Sequence, residues 1–212
     1  MSPEQVVHLI DDDDAVRESL EFLFRTASIA VRAYNSPLLF MERLPDAEPG
    51  CVVTDVRMPE MTGIELLQRL RDIDSALPVI VMTGHGDIPL AVETMKLGAF
   101  DFLEKPFADE TILSAVRSAF GSQAGAAGEA GELADIFARL AELSPRERQV
   151  LDGVVAGQPN KIVAFNLGIS PRTVEIYRAN VMTKMRAGNL SDLVRMTLIA
   201  ERSSASKGAR SS

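Results

Sequence analysis

The chain has 212 residues, 46% of them hydrophobic and 25% charged, with a formal net charge of −8; this suits an ordinary globular protein of one large domain or two small ones. No apolar stretch approaches a membrane span, and the N-terminus lacks the basic region and apolar core of a signal peptide, so a cytoplasmic protein without a membrane partner is expected. Cys51 is the only cysteine, which excludes an intramolecular disulfide, and as the first residue of an apolar run it is expected to be a buried structural thiol in a reducing compartment.

From residue 6 to about residue 120, strand and helix patterns alternate. Apolar runs at 6–10, 51–54, 79–82 and 101–103, with a weaker one at 30–34, predict five strands. Amphipathic segments at 14–26, 36–44, 62–72, 88–97 and 109–120 predict the helices between them, with Leu66, Leu67 and Leu70, and again Ile112, Val116 and Ala119, at helical spacing. Such alternation predicts an α/β domain with a doubly wound, five-stranded parallel sheet covered by helices on both faces.

The ends of these runs carry the chemistry. Asp11 and Asp12 follow the first strand, Asp55 the third, Thr83 the fourth and Lys105 the fifth. Ligands of open α/β sheets bind beyond the carboxyl ends of the strands, so two acids, a hydroxyl and an ammonium are expected to converge on Asp55. Clustered carboxylates repel one another unless a cation neutralises them, and the hard oxygens of Asp11, Asp12 and Asp55 suit Mg²⁺. Asp55 is then the candidate nucleophile, forming an aspartyl phosphate. Lys105 would neutralise phosphoryl charge and Thr83 would donate a hydrogen bond to it. Asp13 and Asp14 are expected at a helix N-terminus, where the dipole favours acids. His8, inside the first strand, is expected to be a packing residue, and His85 a solvated loop residue.

Residues 121–131 contain four glycines, each costing roughly 1 kcal/mol against alanine in a helix. Helical spacing returns in Leu133, Ile136, Phe137 and Leu140, so 121–142 is expected to be a Gly/Ala-rich linker, partly helical. Beyond it no strand signal survives. Ser144-Pro145-Arg146-Glu147 is a capping box with proline at the first helical position, Ser170-Pro171 repeats the cap, and Asn189 with Asp192 marks another start. A short helix at 160–166 ends at Leu167-Gly168. Residues 143–202 are therefore expected to form an all-α domain with a helix-turn-helix, and 203–212 a disordered tail. Charge divides the same way. Residues 1–122 carry 10 basic against 21 acidic side chains and residues 143–212 carry 11 against 5, a split that suggests a nucleic-acid module joined to an acidic regulator.

Asp11-Asp12, Asp55 with Met58-Pro59 and Gly63, Thr83-Gly84, and Lys105-Pro106 resemble the full signature of a two-component receiver domain, a flavodoxin-like fold, over residues 1–120. The resemblance implies that Asp55 accepts phosphate from a sensor histidine kinase, and that Asp12, Asp55 and the carbonyl of Arg57 bind Mg²⁺ while Asp11 acts largely through water. It further implies that Thr83 moves toward the phosphoryl group with Phe102 rotating inward behind it, and that the Lys105-Pro106 bond is cis. The text from Leu143 through Asn160-Lys161-Ile162-Val163-Ala164 to Ser170–Val181 resembles a LuxR-type helix-turn-helix. On its recognition helix Val174, Val181 and Met185 should face the core and Arg172, Glu175, Ile176 and Ala179 the bases of double-stranded DNA. Arg172 suits guanine and Glu175 cytosine. Lys161, Thr173, Arg178 and Lys184 are assigned to phosphates.

Together these make the chain similar to the NarL/LuxR-type response regulators of the FixJ family. That likeness implies a FixL-like kinase, a homodimer when phosphorylated, RNA polymerase as a further partner and nitrogen-fixation or microaerobic genes as targets; no enzyme activity is expected. The alternatives are a related regulator with another kinase, or an aspartyl-phosphate phosphatase. The phosphatase would require a second aspartate where Arg57 stands.

Overall fold

The computed structural model describes residues 5–84, 88–122 and 129–209; His85 lies outside them. The chain separates into two compact units, residues 1–86 with 97–125, and residues 87–96 with 126–212. No helix among the described residues is long and apolar enough to cross a membrane.

Five strands, β1 (Val6–Ile10), β2 (Ala30–Tyr34), β3 (Gly50–Asp55), β4 (Val79–Thr83) and β5 (Asp101–Glu104), alternate with helices α1 (Asp14–Thr26), α2 (Pro37–Arg43), α3 (Gly63–Asp72), α4 (Ile88–Lys96) and α5 (Asp109–Ser122). All neighbouring strands are parallel, in the order β2-β1-β3-β4-β5. Chain order reverses between β1 and β3, and the crevice at such a reversal is where doubly wound sheets bind ligands. Every residue of β1, β3 and β4 is buried, which is why those strands read as continuous apolar runs. Edge strand β2 is half-exposed, and its Arg32 pairs outward with Glu48 at 2.8 Å.

Alternate strand residues point to opposite faces. Val7, Leu9, Cys51, Val53, Ile80 and Met82 share one core with Leu20 and Phe24 of α1 and Ile112, Val116 and Ala119 of α5. Burial pushes the Cys51 thiol up to about 12, so it is an inert filler. His8 lies on the other face against Tyr34 and Phe40, and its Nε2 stands 3.0 Å from the Glu48 carbonyl. It is a satisfied packing residue, as expected.

The second unit contains, besides α4, the helices α6 (Glu129–Ala141), α7 (Pro145–Val155), α8 (Asn160–Leu167), α9 (Pro171–Met185) and α10 (Leu190–Ala209). The caps sit where sequence places them. Ser144 Oγ accepts from the Glu147 amide and Glu147 Oε2 from the Ser144 amide. Ser170 Oγ accepts from the Thr173 amide at 3.1 Å, and Asn189 Oδ1 from the Asp192 amide at 2.8 Å. Gly168 ends α8 in the left-handed conformation (φ 65°), which glycine adopts without steric cost. Val150, Leu151, Val174, Val181, Met185 and Leu193 form the core, joined by Ile136 and Leu140 of α6. The tail departs from expectation: α10 continues to Ala209, past the Ser203 at which disorder was expected. Once a packed first half has nucleated a helix, each added residue gains a hydrogen bond at little cost, and no proline intervenes.

Candidate functional site

Register places the reactive groups. Ile10 is paired with Thr54, so the next residues, Asp11 and Asp55, leave the sheet side by side. Lys105 follows β5, its amide donating to the Thr83 carbonyl at 2.7 Å, and the Lys105–Pro106 bond is cis. From there Lys105 Nζ reaches both acids, donating to Asp11 Oδ2 at 2.8 Å and to Asp55 Oδ1 at 2.7 Å. The second oxygen of each acid is also held: Asp55 Oδ2 accepts from the Arg57 amide at 2.6 Å and Asp11 Oδ1 from the Asp13 amide at 3.0 Å.

Asp11 is 2% exposed, and burial pushes its carboxyl above the ordinary value, against the hydrogen bonds from Lys105 and Asp13. Burial alone would lower the Lys105 ammonium. Its hydrogen bonds to Asp11 and Asp55 together outweigh that, and its pKa is raised, so it stays charged. Asp12 is exposed, and among the described residues no three His, Cys, Asp or Glu side chains are arranged to hold a metal ion. The donor chemistry nonetheless suits a divalent cation: Asp11, Asp12 and Asp55 are hard oxygen donors, and Lys105 alone leaves them two negative charges in excess. Thr83 is buried at the end of β4, and Phe102, also buried, is paired with Val81. Asp13 caps α1 through its Oδ1, as expected, and Asp14 opens the helix.

The loop after Asp55 is clamped. Gly63 donates to the Val56 carbonyl at 3.0 Å, Met58 and Met61 are buried, and Thr62 and Glu65 form a capping box. A Cβ at position 63 would lie 2.1 Å from the Asp55 carbonyl oxygen, so only glycine lets α3 start against the reactive aspartate. Sequence marked Gly63 only as part of a resemblance; the close approach supplies its reason.

In the second unit Arg172 projects from the first turn of α9 with its side chain 83% exposed, paired with Glu175 at 2.9 Å. Ile176 and Ala179 are exposed beside them, and Lys161 is exposed on α8. The four side chains expected to read bases are thus exposed together on α9. Thr173 is half-buried, its hydroxyl 2.8 Å from that of Ser170. Arg178 is half-buried and donates to Asn160 Oδ1 at 2.9 Å, tying α9 to the start of α8.

Lys184, expected at a phosphate, is also engaged within its own unit. Its Nζ is 2.7 Å from Oε2 of buried Glu147 and also donates to the Glu142 carbonyl, so it completes the α7 cap. No sequence signal links residues 37 apart in this way. The Lys184 hydrogen bond, with the Ser144 amide, lowers the Glu147 carboxyl from 4.5 to about 2. A depressed folded-state pKa contributes stability that is present above the unfolded value and lost as pH falls through the folded one. The DNA-binding unit should accordingly lose melting temperature between about pH 4.5 and pH 2, and Glu147→Gln should lack that component. Superimposable acid limbs for the two proteins would contradict the assignment.

Residues 7–117 match the response regulator receiver domain, and residues 141–197 match the luxR family of bacterial regulatory proteins. The chain is 55% identical over 199 residues to the transcriptional regulatory protein FixJ of Azorhizobium caulinodans, covering 93% of this chain and 94% of that one. It is 51% identical over 195 residues to FixJ of Rhizobium meliloti, covering 92% and 96%. The crystal structure of full-length FixJ from B. japonicum matches with a TM-score of 0.57 at 50% identity, covering 95% and 99%.

Proposed function

The chain belongs to the response regulators of the FixJ family, DNA-binding transcriptional regulators of two-component systems that join a receiver to a LuxR-type domain, and on that footing we propose that it is switched by phosphorylation of Asp55. The observation that carries this reading is the Asp55 carboxylate at the reversal of strand order, gripped by Lys105 and the Arg57 amide with Asp11 alongside.

A FixL-like sensor histidine kinase presents a phosphohistidine. An oxygen of Asp55 attacks phosphorus, the new O–P bond forms, the N–P bond breaks and the imidazole leaves. Lys105 stabilises the charge on the phosphoryl oxygens in flight. Asp11, Asp12, Asp55 and the carbonyl of Arg57 would hold Mg²⁺, which supplies further charge neutralisation there. In the product, Thr83 and Lys105 gain charge-assisted hydrogen bonds to the phosphoryl group. Thr83 is drawn toward it and Phe102 follows, a differential interaction that biases a two-state element. The regulator then dimerises through its receiver. Two linked helix-turn-helix domains engage a two-fold operator with affinity raised by effective concentration, and recruit RNA polymerase to nitrogen-fixation or microaerobic promoters in the cytoplasm. It acts as a switch and not as an enzyme.

On α9 and α8, Arg172, Glu175, Ile176 and Ala179 read bases, while Lys161, Thr173 and Arg178 contact phosphates. The test is to recover the genomic DNA bound by the phosphorylated protein and titrate it with variants. Arg172→Ala should relax preference at one operator position by about 1–3 kcal/mol. Lys161→Ala should weaken binding to all sequences alike and flatten the salt dependence by about one counterion. A change of sequence preference with Lys161→Ala but not with Arg172→Ala would reverse the division of roles.

A further inference from the structure

Every polar group of Asp11 is held, and one of its partners lies outside the pocket. Besides Lys105 and the Asp13 amide on its carboxylate, its backbone carbonyl accepts from Arg17 Nη1 at 2.8 Å. The other terminal nitrogen of Arg17 pairs with Asp14. The side chain is only 16% exposed, unusual for an arginine, a residue type almost never buried unless paired. At the end of β1 the Asp11 amide makes a last ladder bond to the Tyr34 carbonyl, after which the chain turns into α1. The Asp11 carbonyl is left to find a partner in a buried position, and Arg17, about one turn into α1, provides it.

The peptide unit is planar. A fixed Asp11 carbonyl therefore fixes the Asp12 amide across the same plane, and with it the direction in which Asp12 departs. We infer that Arg17 is a positioning residue of the acid pocket: through the Asp11 carbonyl it fixes the backbone from which Asp12 would reach a divalent cation held with Asp11 and Asp55. Asp14, paired to the other nitrogen, holds the guanidinium in place. This rests on the reading of the pocket given under Proposed function.

Charge and positioning predict opposite signs. Removing a cation near a cation site should tighten Mg²⁺ binding if Arg17 acts by its charge. If it acts by positioning, binding should weaken, and loss of a residue that orients a ligand typically costs about 10–100-fold in affinity. The experiment is calorimetric titration of the full-length protein with Mg²⁺ alone, for wild type, Arg17→Ala and Arg17→Gln, alongside labelling by a small phosphodonor at rising Mg²⁺. Arg17→Ala should raise the Mg²⁺ Kd about 10–100-fold and move half-maximal labelling to correspondingly higher Mg²⁺, while labelling at saturating Mg²⁺ stays near wild type. Arg17→Gln, which keeps an N–H donor but no charge, should recover part of the affinity, and it carries the test if Arg17→Ala does not fold. Unchanged or tighter Mg²⁺ binding in Arg17→Ala, or in Arg17→Gln, beside a wild type that binds and is labelled, would overturn the role of Arg17 alone. A wild type that neither binds Mg²⁺ nor is labelled would overturn the reading of the pocket itself, and this inference with it.

Discussion

Asp55→Asn is expected to incorporate no hydroxylamine-sensitive phosphate from a small phosphodonor, while melting at or slightly above the wild-type temperature. The amide is nearly isosteric with the carboxylate but cannot attack phosphorus, so labelling should fall below detection. Stability should hold because Asp55 and Asp11 are like charges sharing a single ammonium. Neutralising one removes their repulsion and leaves Lys105 paired with Asp11. Protein sites often retain such destabilising arrangements because function needs them. Residual labelling of this variant would show that another group accepts the phosphate.

Gly63→Ala should do comparable damage by a different route. The added Cβ would stand 2.1 Å from the Asp55 carbonyl oxygen and 3.2 Å from Thr54 Cγ2. Its nearest obstacle is the backbone of the reactive residue itself, which has no rotamer to yield. Either α3 moves away from β3 or Asp55 is displaced, and overpacking of this kind costs about 1–3 kcal/mol. Thermal denaturation should show that loss, and phosphodonor labelling should slow with it. Gly84, next to Thr83, makes the matched control, because nothing lies within 4 Å of a Cβ there. Gly84→Ala should leave stability close to wild type. Equal effects at the two glycines would mean that the close approach to Asp55 is unimportant.

What sequence revealed and what it hid follow from the range of the interactions concerned. Strands buried on both faces, such as β3 from Gly50 to Asp55, appear as unbroken apolar runs. Edge strand β2, half-exposed and carrying Arg32, gave a weak signal for the same physical reason. Helix starts at Ser144, Ser170 and Asn189 were legible because a cap is a local device spanning three residues. Asp11, Asp55, Thr83 and Lys105 could be brought together on paper because each ends a strand of one parallel sheet. The pairing of Lys184 with Glu147 could not, nor the tie from Arg178 to Asn160. Both join side chains far apart in the chain, and no local spacing links such residues before the fold brings them together. The grip of Arg17 on the Asp11 carbonyl was hidden more completely, since a backbone acceptor has no residue type to read. The burial of Ile136 and Leu140 was half-visible: their spacing predicted a helix, but not which core it joins.

The central claim is that phosphate on Asp55 converts this regulator into a dimer able to grip a two-fold operator, and molar mass by light scattering tests it most directly. The protein is measured with Mg²⁺, with and without a small phosphodonor, beside Asp55→Asn and Thr83→Ala. The wild type should pass from 23.0 kDa to twice that mass on phosphorylation. Asp55→Asn should remain at the single-chain mass, and Thr83→Ala should take up phosphate yet dimerise less. A wild type that is fully phosphorylated, stays at the single-chain mass up to high concentration and still binds its operator tightly would contradict the account.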